Sequence, residues 1–283
     1  MLVTGKEILD HANKHNYAVG AFNVNNMEIV QAIIEAAEEM NAPVILQASQ
    51  GAIKYAGIEY ITALARVAAS KVKVPVAIHL DHGTDFEQVM LCIRHGFTSV
   101  MIDGSRYELN KNIEITKKVV EVAHAVGVSV EAELGKIGGT EDDISVDERE
   151  ATFTDPEEAK IFVDETKVDS LAIAVGTAHG VYKGEPKLDF DRIKAIKEKV
   201  GIPLVLHGSS GVPADAIERA VSLGINKINI DTDLRIAFTQ AMKDYHREHP
   251  DNIDPRKVLG PAREAMKEVI KEKIALFGSA GRA

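Results

Sequence analysis

Short β-branched runs alternate along the chain with longer stretches in which apolar residues recur at helical spacing. The runs are Tyr17–Phe22, Pro43–Gln47, Pro75–Leu80, Thr98–Ile102, Val128–Ala132, Ser170–Val175, Pro203–Leu206 and Lys227–Ile230. They are nearly continuous in apolar residues, as in parallel strands buried on both faces, and each gap is long enough for a crossover helix. Ile29–Met40, Ile58–Ala69, Phe86–His95 and Ile113–Val126 carry the helical spacing. Eight strand-and-helix pairs are the count of a closed (β/α)8 TIM barrel, an α/β fold of about 250 residues, so the pattern predicts one domain over residues 1–283. A doubly wound open sheet is the rival, weakened because no Gly-x-Gly-x-x-Gly follows the first run. Residues 135–152 and 178–186 read as long loops, which in a compact domain are usually functional or disordered. Beyond Ala262 the pattern predicts a helix and then a tail, 277–283. No short-period repeat or low-complexity tract interrupts this order.

Composition narrows the function. Hydrophobic residues make up 45% and charged residues 27%, the balance of an ordinary globular protein. The formal net charge of -10 comes without a long basic run, so nucleic acid is not an expected partner. The N-terminus has no apolar leader region and no stretch of about 18 apolar residues follows, so no membrane partner is expected and a cytoplasmic location is. Cys92, the single cysteine, lies in a helix-like run and reads as a buried, inert thiol.

Barrel enzymes build their sites at the C-terminal ends of the strands, and the residues there are strongly polar. Strand two ends in Ser49, strand three in His79-Leu-Asp81-His82-Gly83, and strand four in Asp103-Gly-Ser. Strand five ends in Glu131-Ala-Glu133-Leu-Gly135, strand six in Gly176-Thr-Ala-His179-Gly180, strand seven in His207-Gly208-Ser209-Ser210-Gly211, and strand eight in Asn229-Ile230-Asp231-Thr232-Asp233. His82, His179 and His207 each trail an apolar run and precede a glycine, so a barrel would aim them at one mouth. Three imidazoles around an open position form a catalytic zinc arrangement. A lone strand-end histidine is more often a satisfied polar residue; three at equivalent positions are not. His11, His15, His95, His124, His246 and His249 fall in helix or turn segments and read as solvated, whereas His79 lies inside a strand and reads as a barrel-interior group.

Asp81, beside a proposed ligand, suits general acid/base work on a substrate hydroxyl, and Asp85 or Thr84 serves better as the cap of the following helix. Asp103 and Glu133 fit either as extra oxygen ligands or imidazole-orienting groups, or as ordinary strand-end residues. Gly208-Ser-Ser-Gly211 and Asn229–Thr232 follow strands seven and eight, where backbone N–H groups and a helix N-terminus commonly hold phosphate.

The motifs Gly20-Ala-Phe-Asn-Val-Asn-Asn26, His79-Leu-Asp-His-Gly83, Val130-Glu-Ala-Glu-Leu-Gly135, Gly176-Thr-Ala-His-Gly180 and His207-Gly-Ser-Ser-Gly211 resemble those of the class II fructose-bisphosphate and tagatose-bisphosphate aldolases, from about Leu2 through Gly278. The resemblance implies that Asp81 moves the proton of the C4 hydroxyl and that His82, His179 and His207 hold a catalytic Zn2+. It implies that Asp103 and Glu133 can bind a second or displaced divalent metal. It places Asn23, Ser49, Gly180, Gly208, Ser209, Ser210, Asn229, Ile230, Asp231 and Thr232 around the substrate, with a monovalent cation, Na+ or K+, near the phosphate of the dihydroxyacetone phosphate half. Glu141, in a mobile Gly-Gly-Thr-Glu loop, matches the residue assigned to the proton at the enediolate carbon. Asp231 and Arg235, the latter expected at the distal phosphate, resemble the fructose-specific pattern, as does Asp254–Glu264; tagatose enzymes tend to carry a small residue in place of that aspartate. Ser209 departs from the glycine of many relatives. The partners implied are a sugar bisphosphate, triose phosphates and further copies of the chain in a homodimer or homotetramer. A non-catalytic metal-binding protein on the same fold is the reading from another class, and an acid retained beside an open metal position argues against it.

Overall fold

The structure is a computed structural model that describes residues 1–141, 144–146, 152–182, 184 and 186–283; for residues 140, 141 and 144–146 it describes the backbone alone. Its strands are β1 (Val19–Asn23), β2 (Val44–Ser49), β3 (Val76–Gly83), β4 (Ser99–Ile102), β5 (Ser129–Leu134), β6 (Gly138–Glu141), β7 (Ile144–Val146), β8 (Ser170–Ile173), β9 (Ala178–His179), β10 (Leu204–Leu206) and β11 (Ile225–Ile230). Eight of them close into a parallel barrel in the order β1-β11-β10-β8-β5-β4-β3-β2, and each coincides with one of the eight apolar runs. The open-sheet alternative falls because β1 pairs with both β2 and β11, leaving no edge.

Helices cover the outside. Met27–Glu39, Ile58–Ser70, Phe86–His95 and Leu109–Ala125 match the predicted segments to within a few residues. Their starts follow from local chemistry: Asn26 Oδ1 accepts the Ile29 N–H at 3.0 Å and Asp85 Oδ1 accepts the Gln88 N–H at 2.8 Å, each satisfying an orphan donor of a first turn. Cys92 packs on the inner face of its helix, where burial pushes its thiol up to about 12, so the inert reading holds.

Three features lie outside the predicted pattern. A helix, Gly5–His15, set by a Thr4/Glu7 capping box, precedes the first strand and closes the N-terminal end of the barrel. Its Ile8, Leu9 and Ala12 pack with Val19, Ala21 and Ile45 in a small cluster separate from the main outer core. A Cβ on Gly5 would sit 2.6 Å from Ser99 Oγ, so the plug needs a glycine at its closest approach. The two stretches read as loops contain β6, β7 and β9, a three-stranded sheet in which Gly138 and Gly139 pair with Ala178 and His179. The C-terminal helix runs over Pro255–Leu276, and the residues after it are not a loose tail: the Gly281 N–H donates to Met40 O at 2.9 Å and the Ala283 N–H to Asn41 O at 3.1 Å.

Candidate metal centre and active site

Along a strand, neighbouring side chains point to opposite faces, so Asp81 and His82 should not both face the barrel axis. A bulge resolves this. β3 pairs with β4 as His79↔Ser99 and Leu80↔Val100, and then jumps to Gly83↔Ile102. His82 takes a left-handed backbone, φ +47°, which costs about 1–3 kcal/mol and is tolerated best by short polar residues and histidine. Gly83 follows because a Cβ there would lie 2.5 Å from Met101 O. Both side chains end up buried, His82 against the other imidazoles and Asp81 against three amides.

His82, His179 and His207 form one cluster: their ring centroids lie 5.1, 4.6 and 5.9 Å apart, and one nitrogen from each fits within 4.8 Å of the others. His82 Nδ1–H donates to Asp103 Oδ2 at 3.1 Å and His207 Nε2–H to Glu131 Oε1 at 2.9 Å. These carboxylates fix the tautomers, so His82 Nε2 and His207 Nδ1, 2.8 Å apart, turn lone pairs toward each other. Two facing lone pairs repel unless a cation lies against both, so this donor set fits a divalent metal. Burial would raise the Asp103 carboxyl, but the His82 contact outweighs it and holds the group below the ordinary range.

A second group, His82, Asp103 and Glu133, also meets the geometry for a metal. Glu133 is buried with Oε2 unpartnered, and burial followed by the Asp103 charge pushes its carboxyl well above the usual value. A cation here would relieve both effects.

Asp81 is clamped. Asn23 Nδ2 and Gln47 Nε2 each donate to its Oδ2 at 3.0 Å, and Asn229 Nδ2 donates to Oδ1 at 3.1 Å. Gln47 also donates to Asn23 Oδ1 at 2.6 Å. Gln47 Oε1 and Asn229 Oδ1 are buried without a partner, which leaves two acceptors beside the acid for hydroxyl groups of a ligand.

The residues expected around phosphate divide. Tyr182 ties the loops after β9 and β10 together, its hydroxyl donating to Gly208 O at 2.7 Å and accepting from the Ala178 N–H at 2.8 Å. A Cβ on Gly208 would lie 2.4 Å from Ala178 O, so the close approach of these loops requires that glycine, while Gly180 is favoured by its left-handed backbone, φ +89°. Ser210 Oγ accepts the Asp233 N–H at 3.3 Å, at the start of the helix Thr232–Glu248. The Ser209 hydroxyl instead donates back to Leu206 O at 3.2 Å, and Ser49 Oγ caps its own following helix at Ala52 N, 3.2 Å. Each hydroxyl thus makes one local bond, which leaves Ser49 its O–H donor and Ser209 its acceptor lone pairs. Ile230 is buried, while Asp231 and Thr232 are half-exposed at the helix start. Arg235 Nη2 lies 2.6 Å from Asp231 Oδ2 with its head half in solvent. Glu141 ends β6, and its side chain lies outside the described residues.

Four polar residues of this region carried no role in the sequence reading: Gln47, Glu131, Tyr182 and Lys227. Gln47 and Lys227 are long polar side chains within buried strands, which is a legible signal; Tyr182 in a loop offers none. His79 is interior as expected, with Nδ1 2.8 Å from Ser99 Oγ. His124, read as solvated, keeps an exposed edge but pairs with Asp169 at 2.8 Å.

A closed (β/α)8 barrel with three imidazoles and a clamped acid at its C-terminal mouth fits a metal-dependent enzyme. The sequence pattern of "Fructose-bisphosphate aldolase class-II" matches residues 3–282, and the chain belongs to that family. It is 52% identical to a fructose-bisphosphate aldolase of Thermus caldophilus, with all of both chains covered. It is 48% identical to a sulfofructosephosphate aldolase of Alkalicoccus urumqiensis, with 99% of this chain and 98% of that one covered. Among solved structures, the YdjI aldolase from Escherichia coli K12 superposes with a TM-score of 0.89 at 36% identity, covering 100% of each chain. Membership implies a divalent metal, and no helix of the described residues is long and apolar enough to cross a membrane.

Proposed function

We propose that the chain catalyses the reversible cleavage of fructose 1,6-bisphosphate to dihydroxyacetone phosphate and glyceraldehyde 3-phosphate, with His82, His179 and His207 holding Zn2+. The observation that carries this is the juxtaposition, through the His82 bulge, of the three-nitrogen cluster and the clamped Asp81. When bound, the metal supplies Lewis-acid polarisation of the ketone oxygen, so no Schiff-base lysine is needed. Asp81 accepts the C4 hydroxyl proton as the C3–C4 bond breaks and returns it in the condensation direction. Its three amides keep the acceptor oxygen from rotating away. Gln47 Oε1 and Asn229 Oδ1 orient the neighbouring hydroxyls.

Ser49, Gly180 and Gly208–Ser210, with Asn229–Thr232, receive the dihydroxyacetone phosphate end, assisted by Na+ or K+. Asp231 and Arg235 select fructose over tagatose and meet the distal phosphate. Glu141, on the hairpin that pairs with the His179 segment, handles the proton at the enediolate carbon. Asp103 and Glu133 offer a second divalent position. Residues 1–283 act as one domain, in a cytoplasmic homodimer or homotetramer.

The test is the initial cleavage rate with fructose 1,6-bisphosphate, tagatose 1,6-bisphosphate and sulfofructose phosphate, before and after chelation and zinc re-addition. Zinc-restored activity that favours fructose bisphosphate is expected. Preference for either other sugar would discard the specificity reading, and chelator-insensitive cleavage would discard the metal reading. Stoichiometric zinc without cleavage of any of the three would point to a binding protein.

A further inference from the structure

Lys227 is fully buried inside the barrel, on a strand whose other inward residue, Asn229, belongs to the Asp81 clamp. Its ammonium lies 2.8 Å from Glu131 Oε2 and 3.3 Å from His79 Nε2. Glu131 uses its other oxygen, Oε1, to accept from His207 Nε2–H. A buried ion pair of this kind is weak evidence for stability, because desolvating two charges offsets much of their attraction, and apolar residues of equal volume often do as well. Retention of such a pair in a layer that barrels normally fill with Val, Ile and Leu therefore calls for another reason.

We infer that Lys227 is a positioning residue for the metal centre: through Glu131 it fixes the rotation and tautomer of His207, so that Nδ1 faces the metal. The inference rests on the aldolase reading only in taking His207 as a ligand. The geometry supplies each link. The carboxylate has one oxygen for each partner, so the Lys227 contact sets its plane, and that plane aims Oε1 at His207 Nε2. His79 cannot take over the cationic role, since burial, then the Lys227 charge, holds it far below its ordinary value and leaves it neutral. Its Nε2 accepts from Lys227 while its Nδ1–H donates to Ser99 Oγ, which steers the ammonium toward Glu131 from the other side. Without the ammonium, the Glu131 carboxylate would be a buried, uncompensated charge, free to turn away from His207.

The experiment is metal affinity, measured by competition with a chromophoric chelator on Lys227→Met and Glu131→Gln, with thermal unfolding recorded alongside. Loss of an outer-shell partner typically weakens metal binding roughly 10- to 100-fold, and that loss is expected for each variant. Because both act as one unit, the double variant Glu131→Gln/Lys227→Met should bind no more weakly than the worse single one. The double variant removes both charges of the pair and leaves neither uncompensated, so it remains informative if Lys227→Met does not fold. Lys227→Arg should recover part of the affinity. Metal affinity within twofold of the parent in a folded Lys227→Met or double variant would overturn the inference, even if the melting temperature falls. A parent that binds no metal would instead overturn the His207 ligand assignment itself.

Discussion

Replacing Asp81 by asparagine separates the chemistry of the site from its architecture. The carboxylate accepts from Asn23 and Gln47 on Oδ2 and from Asn229 on Oδ1. In Asp81→Asn the new amide oxygen can keep the first pair of donors, which turns its NH2 toward Asn229. Asn229 can answer by flipping, because its own Oδ1 is buried without a partner and becomes the acceptor. Three charge-assisted bonds become neutral ones at roughly 1 kcal/mol each, so about 1–3 kcal/mol of stability is lost, within a typical reserve of about 5–15 kcal/mol. The clamp runs through Asn23, Gln47 and Asn229 while the bonds that orient His82 and His207 run to Asp103 and Glu131, so metal affinity should change little. Loss of a general acid/base lowers turnover by about 10²- to 10⁴-fold, roughly 3–5 kcal/mol of barrier. Steady-state kcat with fructose 1,6-bisphosphate, together with zinc content after gel filtration, measures both. A kcat within tenfold of the parent would remove Asp81 from its role, and loss of zinc with kcat would show that the clamp and the metal site are not separable.

Other perturbations probe the remaining parts. His179→Ala leaves two imidazoles, and zinc should no longer survive gel filtration at one equivalent per chain; stoichiometric retention by metal analysis would refute the ligand assignment. Gly139→Ala places a Cβ 2.3 Å from His179 O at φ +98°, so the β6–β9 pairing should open, with about tenfold weaker metal binding but little change in melting temperature; unchanged affinity would show that this pairing does not set His179. Lys197, held by Asn13, Asn226 and Ile202 O with no carboxylate among these partners, is lowered by burial to about 8. Between that value and the ordinary lysine value of 10.5 the unfolded chain holds a proton that the folded chain has released, so stability from this group rises with pH there. Relative to Lys197→Met, the parent should gain about 1 kcal/mol in urea unfolding between pH 8 and 10, after allowing for solvent screening; a flat difference would contradict the shift.

The strand-end polarity, the three histidines and the eight-fold alternation were legible along the chain because each is set by short-range periodicity. Strands buried on both faces must be apolar, and a barrel mouth must be where that apolarity stops. The family motifs likewise lie within short segments. What closure alone decides is contact between segments far apart. Asp81 and His82 share the interior only because β3 and β4 slip register, and no property of residues 79–83 taken alone specifies the strand against which they slip. Lys227 and Glu131, 96 residues apart, are long polar side chains within buried strands, but their pairing needs the barrel to bring β11 and β5 to face each other across its interior. The β6–β9 pairing joins two stretches whose glycine-rich composition signals only turns, since backbone bonds between loops leave no periodic trace. The Gly5–His15 plug and the docked residues 279–283 are likewise set by surfaces that exist only once the barrel has closed.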